Sequence, residues 1–374
     1  MTRKKIVLAS VLKPIDDTRM FEKFGQSLAG DFEVHIIGYK ANVPAGFPNL
    51  FFYPLFDFSS KKQKRLRSSQ LFLDEIQKIK PDVLIVHAVE LLPAAMWYKT
   101  LHRKVKLIYD VRENYFRNII YQPNYKGLFK YVLAFGIRFL EILSRVFVTH
   151  YILAERNYDK EFWFARGKNT ILENKYRKIP HLKTRKNLNT QSPVFIHGGT
   201  LSEVYGTLEA INFVEQLRLA GMDARLHLIG NVASENVKKR IAGLSQKNNY
   251  ICATLGNPLI PHYQLMEAYL EADFALLSYK PNNSTSNCIP TKLYECLANQ
   301  IPMVIQNNAL WENICKPYEA ALFIDFENFS AQGVINTIRE KPFYTNVEGI
   351  SENCIWDNRE EKLLLELVLH ALNK

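Results

Sequence analysis

The residues best suited to chemistry cluster around positions 280–295. Phe274–Ser278 is a short apolar run, Lys280–Asn287 is dominated by Pro, Asn, Ser and Thr, and a helix that can start at Pro290 carries one acid, Glu295. The apolar run predicts a strand buried on both faces, and the polar stretch a loop at its carboxyl end. Proline suits a helix start because its missing N–H would be unpaired there in any case. Open α/β sheets bind ligands outside the carboxyl ends of their strands, where helix N-termini turn free N–H groups toward phosphate. This loop and helix therefore suit a nucleotide, with amides for the phosphates and Glu295 for ribose hydroxyls. The plain alternative is that Glu295 is a solvated residue on an amphipathic helix.

A second candidate is Gly198-Gly199-Thr200, which follows the strand Val194–His197 and precedes a helix from about Tyr205. Paired glycines let a backbone approach a ligand closely, although a Gly-Gly pair alone is only a turn. In the first half, His87 and Glu90 close the strand Val83–His87, and Asp110, Arg112 and Glu113 close the strand Lys106–Asp110. These ends lie at the edge of a parallel sheet where function collects. Arg112 stays protonated, so it suits a phosphate or an acceptor oxygen rather than a general-base role. A histidine at a strand end, such as His87, is also commonly structural.

The elements that must position these residues alternate strand and helix. Ile6–Ser10, a helix over Arg19–Leu28 led by Asp16 and Asp17, and Val34–Gly38 form a first βαβ unit. A basic helix is expected over Ser60–Ile79, a helix over Arg156–Arg166, and strands over Tyr151–Ala154 and Thr170–Leu172. Residues 176–192 are polar and basic without periodicity and read as a linker. Further strands are expected at Arg225–Gly230, Tyr250–Leu255, Ile301–Ile305 and Leu322–Ile324, with an amphipathic helix over Trp356–Leu372. No G-x-G-x-x-G follows the first strand, so no dinucleotide cofactor is expected.

Bulk properties narrow the classes further. The chain has 374 residues, enough for two domains, and 47% hydrophobic with 23% charged residues is a globular composition. Five cysteines, an odd number without metal spacing, argue for a reducing, cytoplasmic setting. The opening MTRKKIVLASVL reads as a first strand rather than a signal peptide, and no apolar run is long enough to span a bilayer. The net charge of +11 implies an anionic partner: nucleic acid, anionic lipid or a sugar nucleotide. Without zinc-finger spacing, an RNP-like motif or a basic repeat, nucleic acid is not expected.

One stretch bears on lipid. Over Tyr121–Val148 apolar residues recur at helical spacing with Lys126, Lys130, Arg138 and Arg145 interleaved. It reads mainly as a core helix with snorkelling cations. Its exposed end, together with the basic run Lys61–Arg67, suits peripheral contact with an anionic membrane at its inner face.

The segment PTKLYECLANQIPMV resembles the carboxyl-half signature of GT-B glycosyltransferases of the retaining family 4 type. Pro290, Lys292, Glu295, Ala298 and Pro302 occupy the pattern P-x-K-x-x-E-x-x-A-x-x-x-P. VLKPIDDTRMFEKFGQSLA is similar to the opening of such enzymes. The resemblance implies two doubly wound Rossmann-like α/β domains around an interdomain cleft: residues 1–180 with a returning helix at 356–374 for the acceptor, and 193–355 for the nucleotide sugar. It implies that Glu295 holds the ribose and that Gly198, Gly199, Thr200, Asn287, Pro290, Thr291 and Lys292 hold the donor, with Lys280 behind Lys292. Asp17, Arg19 and Asp110 would serve the acceptor, with capping and pairing on their own helix the equal alternative for Asp17 and Arg19. His87, Arg112, Glu113 and Lys292 are the candidate catalytic set.

Four positions depart from the family pattern. Asn287 stands where many members carry a second Glu, and Arg112 where related sequences carry His, which makes His87 its substitute. Thr200 and Tyr205 stand at phosphate-clamping Arg and Lys places. With no Asp-x-Asp at a strand end, neither metal nor cofactor is expected. The implied reaction is transfer of a sugar from a nucleotide diphosphate to a glycan or lipid-linked acceptor hydroxyl, in surface polysaccharide or glycolipid synthesis. A sugar-nucleotide epimerase and a non-catalytic binding subunit are the alternatives.

Overall fold

The protein, seen here in a computed structural model, is described for residues 3–57, 67–121, 127–232, 234–256, 259–282, 286–357 and 359–373. The chain divides into two compact units, Met1–Arg177 with Trp356–Lys374, and Lys178–Ile355.

The first unit is a seven-stranded parallel sheet in the order β3-β2-β1-β4-β5-β6-β7. Its strands are β1 (Lys5–Pro14), β2 (Glu33–Tyr39), β3 (Leu50–Pro54), β4 (Val83–Val86), β5 (Lys106–Val111), β6 (His150–Leu153) and β7 (Asn169–Ile171). Its main helices are α1 (Thr18–Gly25, wound as a π-helix), α2 (Ser68–Ile79), α3 (Leu92–Leu101), α4 (Tyr115–Tyr121) and α5 (Phe129–Ser144). Ile6–Ala9 and Val83–Val86 are wholly buried because helices cover both faces of the sheet, as parallel strands require. The β-strand order reverses between β1 and β4, so their carboxyl ends flank a crevice at the topological switch point.

The second unit is a six-stranded parallel sheet in the order β10-β9-β8-β11-β12-β13. It contains β8 (Val194–Leu201), β9 (Arg225–Val232), β10 (Ile251–Leu255), β11 (Phe274–Leu277), β12 (Met303–Gln306) and β13 (Ala321–Ile324). Its main helices are α6 (Thr207–Leu219), α7 (Glu235–Lys247), α8 (His262–Glu271), α9 (Thr291–Ala298) and α10 (Ala331–Glu340). The switch point here lies between β8 and β11.

The last helix, α11 (Glu360–Asn373), belongs to the first unit, where Leu364, Leu367 and Val368 join the core formed by α1 and one face of the sheet. Trp356, fully buried, stacks on Phe24 with ring centroids 5.6 Å apart. Its backbone N–H bonds the Tyr176 carbonyl at 2.8 Å, so the chain leaves and re-enters the unit side by side. A buried ion pair between Lys175 and Glu360 at 2.7 Å closes the junction.

Three expectations need correction. The stretch Tyr121–Val148 is not a continuous core helix: α5 buries only Ala134, Glu141 and Ser144, and its most apolar face lies outward. Polar partners cause this, since Arg138 and Glu141 pair at 3.3 Å beneath the helix and Tyr109 donates to Glu141. The segment 156–166 is a single turn at Tyr158–Glu161 followed by a 3-10 turn at Trp163–Ala165, which lets Phe162 and Phe164 both reach the core. Pro290 is the N-cap of α9 rather than its first residue. Residues 61–66 of the basic run, and Lys126, lie outside the described residues.

Candidate functional site

In the second unit the glycines at the sheet's carboxyl edge explain the loop geometry. Gly199 has φ +98°, and a Cβ there would fall 2.5 Å from Lys292 Nζ. The Lys292 ammonium therefore rests directly on the backbone between β8 and α9. A Cβ on Gly230 would overlap the Gly199 carbonyl, and one on Gly206 the Ser278 carbonyl. Gly199 and Gly230 are thus paired tightly within β8 and β9, and the turn after β8 meets the turn after β11 through backbone. Gly206 begins α6 in the left-handed region and accepts a 2.7 Å hydrogen bond from Ser278 Oγ.

His197 holds this edge from below. Its Nδ1 lies 3.2 Å from the Leu276 carbonyl, which can only accept, so Nδ1 carries the proton and Nε2 accepts from Thr207 Oγ1 at 3.2 Å. Thr207 Oγ1 in turn accepts from the Ser202 N–H. Burial, with the nearby Lys292 charge, pushes the His197 pKa down to about 4, so the imidazole is neutral.

Among the described residues Lys292 has no carboxylate within ion-pairing distance, and its nearest aromatic face is Tyr279 at 6.0 Å. Lys280, by contrast, is taken up by Glu209 at 2.8 Å. Pro290 supplies no side-chain cap to α9, whose first turn, at Thr291 and Lys292, carries the positive end of the helix dipole. Thr200 is the next-to-last residue of β8, paired with Asn231 of β9, and Asn287 is exposed in the loop before α9. Glu295 is buried to 5% exposure, so it is not the solvated residue of the plain alternative. One carboxylate oxygen meets His262 Nε2 at 3.0 Å. His262, missed by sequence reasoning, was signalled only by its place at the start of a helix behind Pro261.

In the first unit, Asp17, Arg19, His87, Asp110 and Arg112 come together at the carboxyl ends of β1, β4 and β5. Asp110, with no exposure, accepts from Arg19 at 2.8 and 2.7 Å and from His87 Nδ1 at 2.6 Å. Burial alone would raise its carboxyl, but the Arg19 charge and these hydrogen bonds outweigh it and hold it well below the usual range. Because Asp110 is a carboxylate, His87 Nδ1 carries the proton and Nε2 is left as a bare lone pair. That Nε2 is buried and has no hydrogen-bond partner among the described residues. Burial, opposed by Asp110, lowers the His87 pKa, which keeps the ring neutral.

Arg19 is buried to 1% and also donates to the Leu172 carbonyl at 3.0 Å, so it faces inward. Asp17 caps α1 through the amides of Arg19 and Met20 and receives Arg112 at 2.6 and 3.1 Å. Burial is again outweighed: the Arg112 charge keeps Asp17 well below the carboxylate range. Glu113 accepts from Asn118 at 3.0 Å and lies 3.7 Å from Lys13 Nζ. Lys13, on the extended end of β1, is a further charge that sequence reasoning did not single out.

No family model and no curated protein matches the sequence. Solved structures do match, over nearly the whole chain. Sucrose-phosphate synthase from Thermosynechococcus elongatus aligns with TM-score 0.73 and 13% identity, over 99% of this chain and 100% of that one. The catalytic domain of Starch Synthase IV from Arabidopsis thaliana, bound to ADP and acarbose, gives 0.68 and 10%, over 100% of both chains. HepE from Anabaena, in complex with UDP and glucose, gives 0.61 and 12%, over 100% of both chains. These neighbours are GT-B glycosyltransferases, and the likeness shows that the chain has the GT-B fold of two Rossmann-like α/β units.

Proposed function

We propose that the protein is a glycosyltransferase that moves a sugar from a nucleotide diphosphate to an acceptor hydroxyl. The observation that carries this reading is Lys292, which has no ion pair among the described residues and lies on the Gly199 backbone at the N-terminus of α9. That is a site for a diphosphate on a fold whose neighbours are described in complex with ADP and UDP.

In the second unit, Gly198, Gly199 and Thr200 offer backbone to the diphosphate, and Pro290, Thr291 and Lys292 offer the start of α9. Negative charge grows on the leaving diphosphate as the glycosidic bond breaks. A fixed ammonium and fixed amides stabilise it without reorganising, and this lowers the barrier. Glu295, held by His262, is the carboxylate assigned to the ribose hydroxyls. Asn287 contributes to the donor sugar.

In the first unit, His87 Nε2 supplies a lone pair for the acceptor hydroxyl proton. Asp110 would stabilise the imidazolium so formed, and Arg19 keeps Asp110 ionised. Arg112, Asp17 and Glu113 form the charged surround on the acceptor side. Retention of configuration, independence of metal, and a glycan or lipid-linked acceptor in surface polysaccharide or glycolipid synthesis complete the proposal. They rest on the resemblance of the Pro290–Pro302 segment.

The test is a thermal-shift series with UDP, GDP, ADP and dTDP and their common sugars, on the wild type and on Glu295→Ala. One nucleotide is expected to stabilise the wild type by about 2.7 kcal/mol at a hundredfold excess over Kd, and the variant should lose that gain. A wild type stabilised by none of them would sink the transferase reading.

A further inference from the structure

Helix α5 is amphipathic the wrong way round for a domain in water. Leu128, Val132, Phe135, Phe139, Leu143 and Val146 follow one another at steps of three and four residues, and all are exposed. Four of them, Leu128, Val132, Phe139 and Val146, are 67–83% exposed. At 1.5 Å per residue the stripe from Leu128 to Leu143 runs roughly 22 Å. The opposite side of the helix carries the polar groups: Arg138 donates to Asn114 at 2.8 Å and lies over the Phe162 ring at 4.3 Å. Ser144 contacts Tyr151 at 2.9 Å. These bonds lock the helix in the orientation that sends its aromatic face outward. Helix α3 lies beside α5 on the same side of the sheet and exposes Trp97 and Leu101, with Arg103 and Lys104 exposed just after it.

Charge selects the occupant. Residues 1–177 and 356–374 hold 33 Lys and Arg against 21 Asp and Glu, a balance of +12, whereas residues 178–355 hold 15 against 16. The whole positive excess of the chain therefore sits on the unit that carries the apolar stripe. A second copy docking through this face would bring two such +12 units together, which charge repulsion opposes. An exposed stripe of Phe, Leu and Val with a nearby Trp, on a cationic unit, is what an anionic lipid interface accepts.

We infer that the outward face of α5, with Trp97 and Leu101 of α3, docks the first unit on a membrane surface containing anionic lipid. The inference does not depend on the donor chemistry.

Vesicle co-sedimentation of the full chain tests it. Wild type should bind vesicles containing phosphatidylglycerol, bind pure phosphatidylcholine more weakly, and lose affinity as salt rises. Val132→Asp with Phe139→Asp should reduce binding at least about tenfold, and Arg103→Glu with Lys104→Glu should reduce it on anionic vesicles only. Brominated acyl chains should quench tryptophan fluorescence of the unmutated chain, a readout that needs no variant to fold. Absence of vesicle binding, or an absence of quenching, would overturn the inference. So would a Val132→Asp/Phe139→Asp chain that binds like wild type, or a wild-type dimer that this double change makes monomeric without any lipid binding.

Discussion

At the scale of residues, the two sites differ in how their charges are balanced. Asp110 and Asp17 each face an arginine, and their carboxyls are held ionised against the cost of burial. Lys292 has no such partner among the described residues, and an unbalanced cation at a helix N-terminus is a place for an anion. Lys292→Met should therefore keep the fold and abolish the stabilisation by nucleotide. Under the proposed reaction it should lower kcat/KM on the order of 10²–10³-fold, the scale for removing one preorganised charge from a developing anion. Steady-state kinetics and the thermal shift on the same preparation check this, and a variant with unchanged kcat/KM would remove Lys292 from the reaction.

At the scale of elements, α5 shows why one helix can hold an acid it should not tolerate. Burial raises the Glu141 carboxyl to about 7, although Arg138 and the Tyr109 hydroxyl pull the other way. A folded-state value above the unfolded one, near 4.5, means that Glu141 contributes stability fully below about pH 4.5. That contribution is lost as pH rises through about 7. Glu141→Gln cannot titrate, so its stability relative to wild type should improve by about 2 kcal/mol between pH 5 and pH 8. Urea unfolding at the two pH values measures this, and a difference independent of pH would show that the carboxyl is ionised throughout.

At the scale of the whole molecule, the chain closes the first unit with its own last helix. Trp356 fills the space between Phe24 and α11, and its indole N–H bonds Ser27 Oγ at 3.1 Å. Trp356→Ala should cost about 3–5 kcal/mol, the usual loss for a large buried aromatic. Hydrogen exchange should locate the loss in β1 and α1 and leave β8 protected, because Trp356 belongs to the core of the first unit alone. Equal deprotection of both sheets would show instead that the two units unfold as one.

What is periodic or local was legible in the amino-acid sequence. Buried parallel strands read as unbroken apolar runs, so β1, β4, β8, β11 and β12 were visible, and with them the α/β class. The motif from Pro290 to Pro302 stood out because a helix start, its cation and its acid lie within one short segment. The edge strand β3 left no such mark, since only Leu50 of its five residues is buried. Tertiary structure decided what depends on partners distant in the chain. Arg19 meets Asp110 across 91 residues, His262 meets Glu295 across 33, and Gly199 lies under Lys292. Which face of α5 turns outward was also settled there. Helical spacing shows that a stripe exists, but only the polar groups beneath it, Asn114, Tyr109 and Tyr151, fix which side can be satisfied inside.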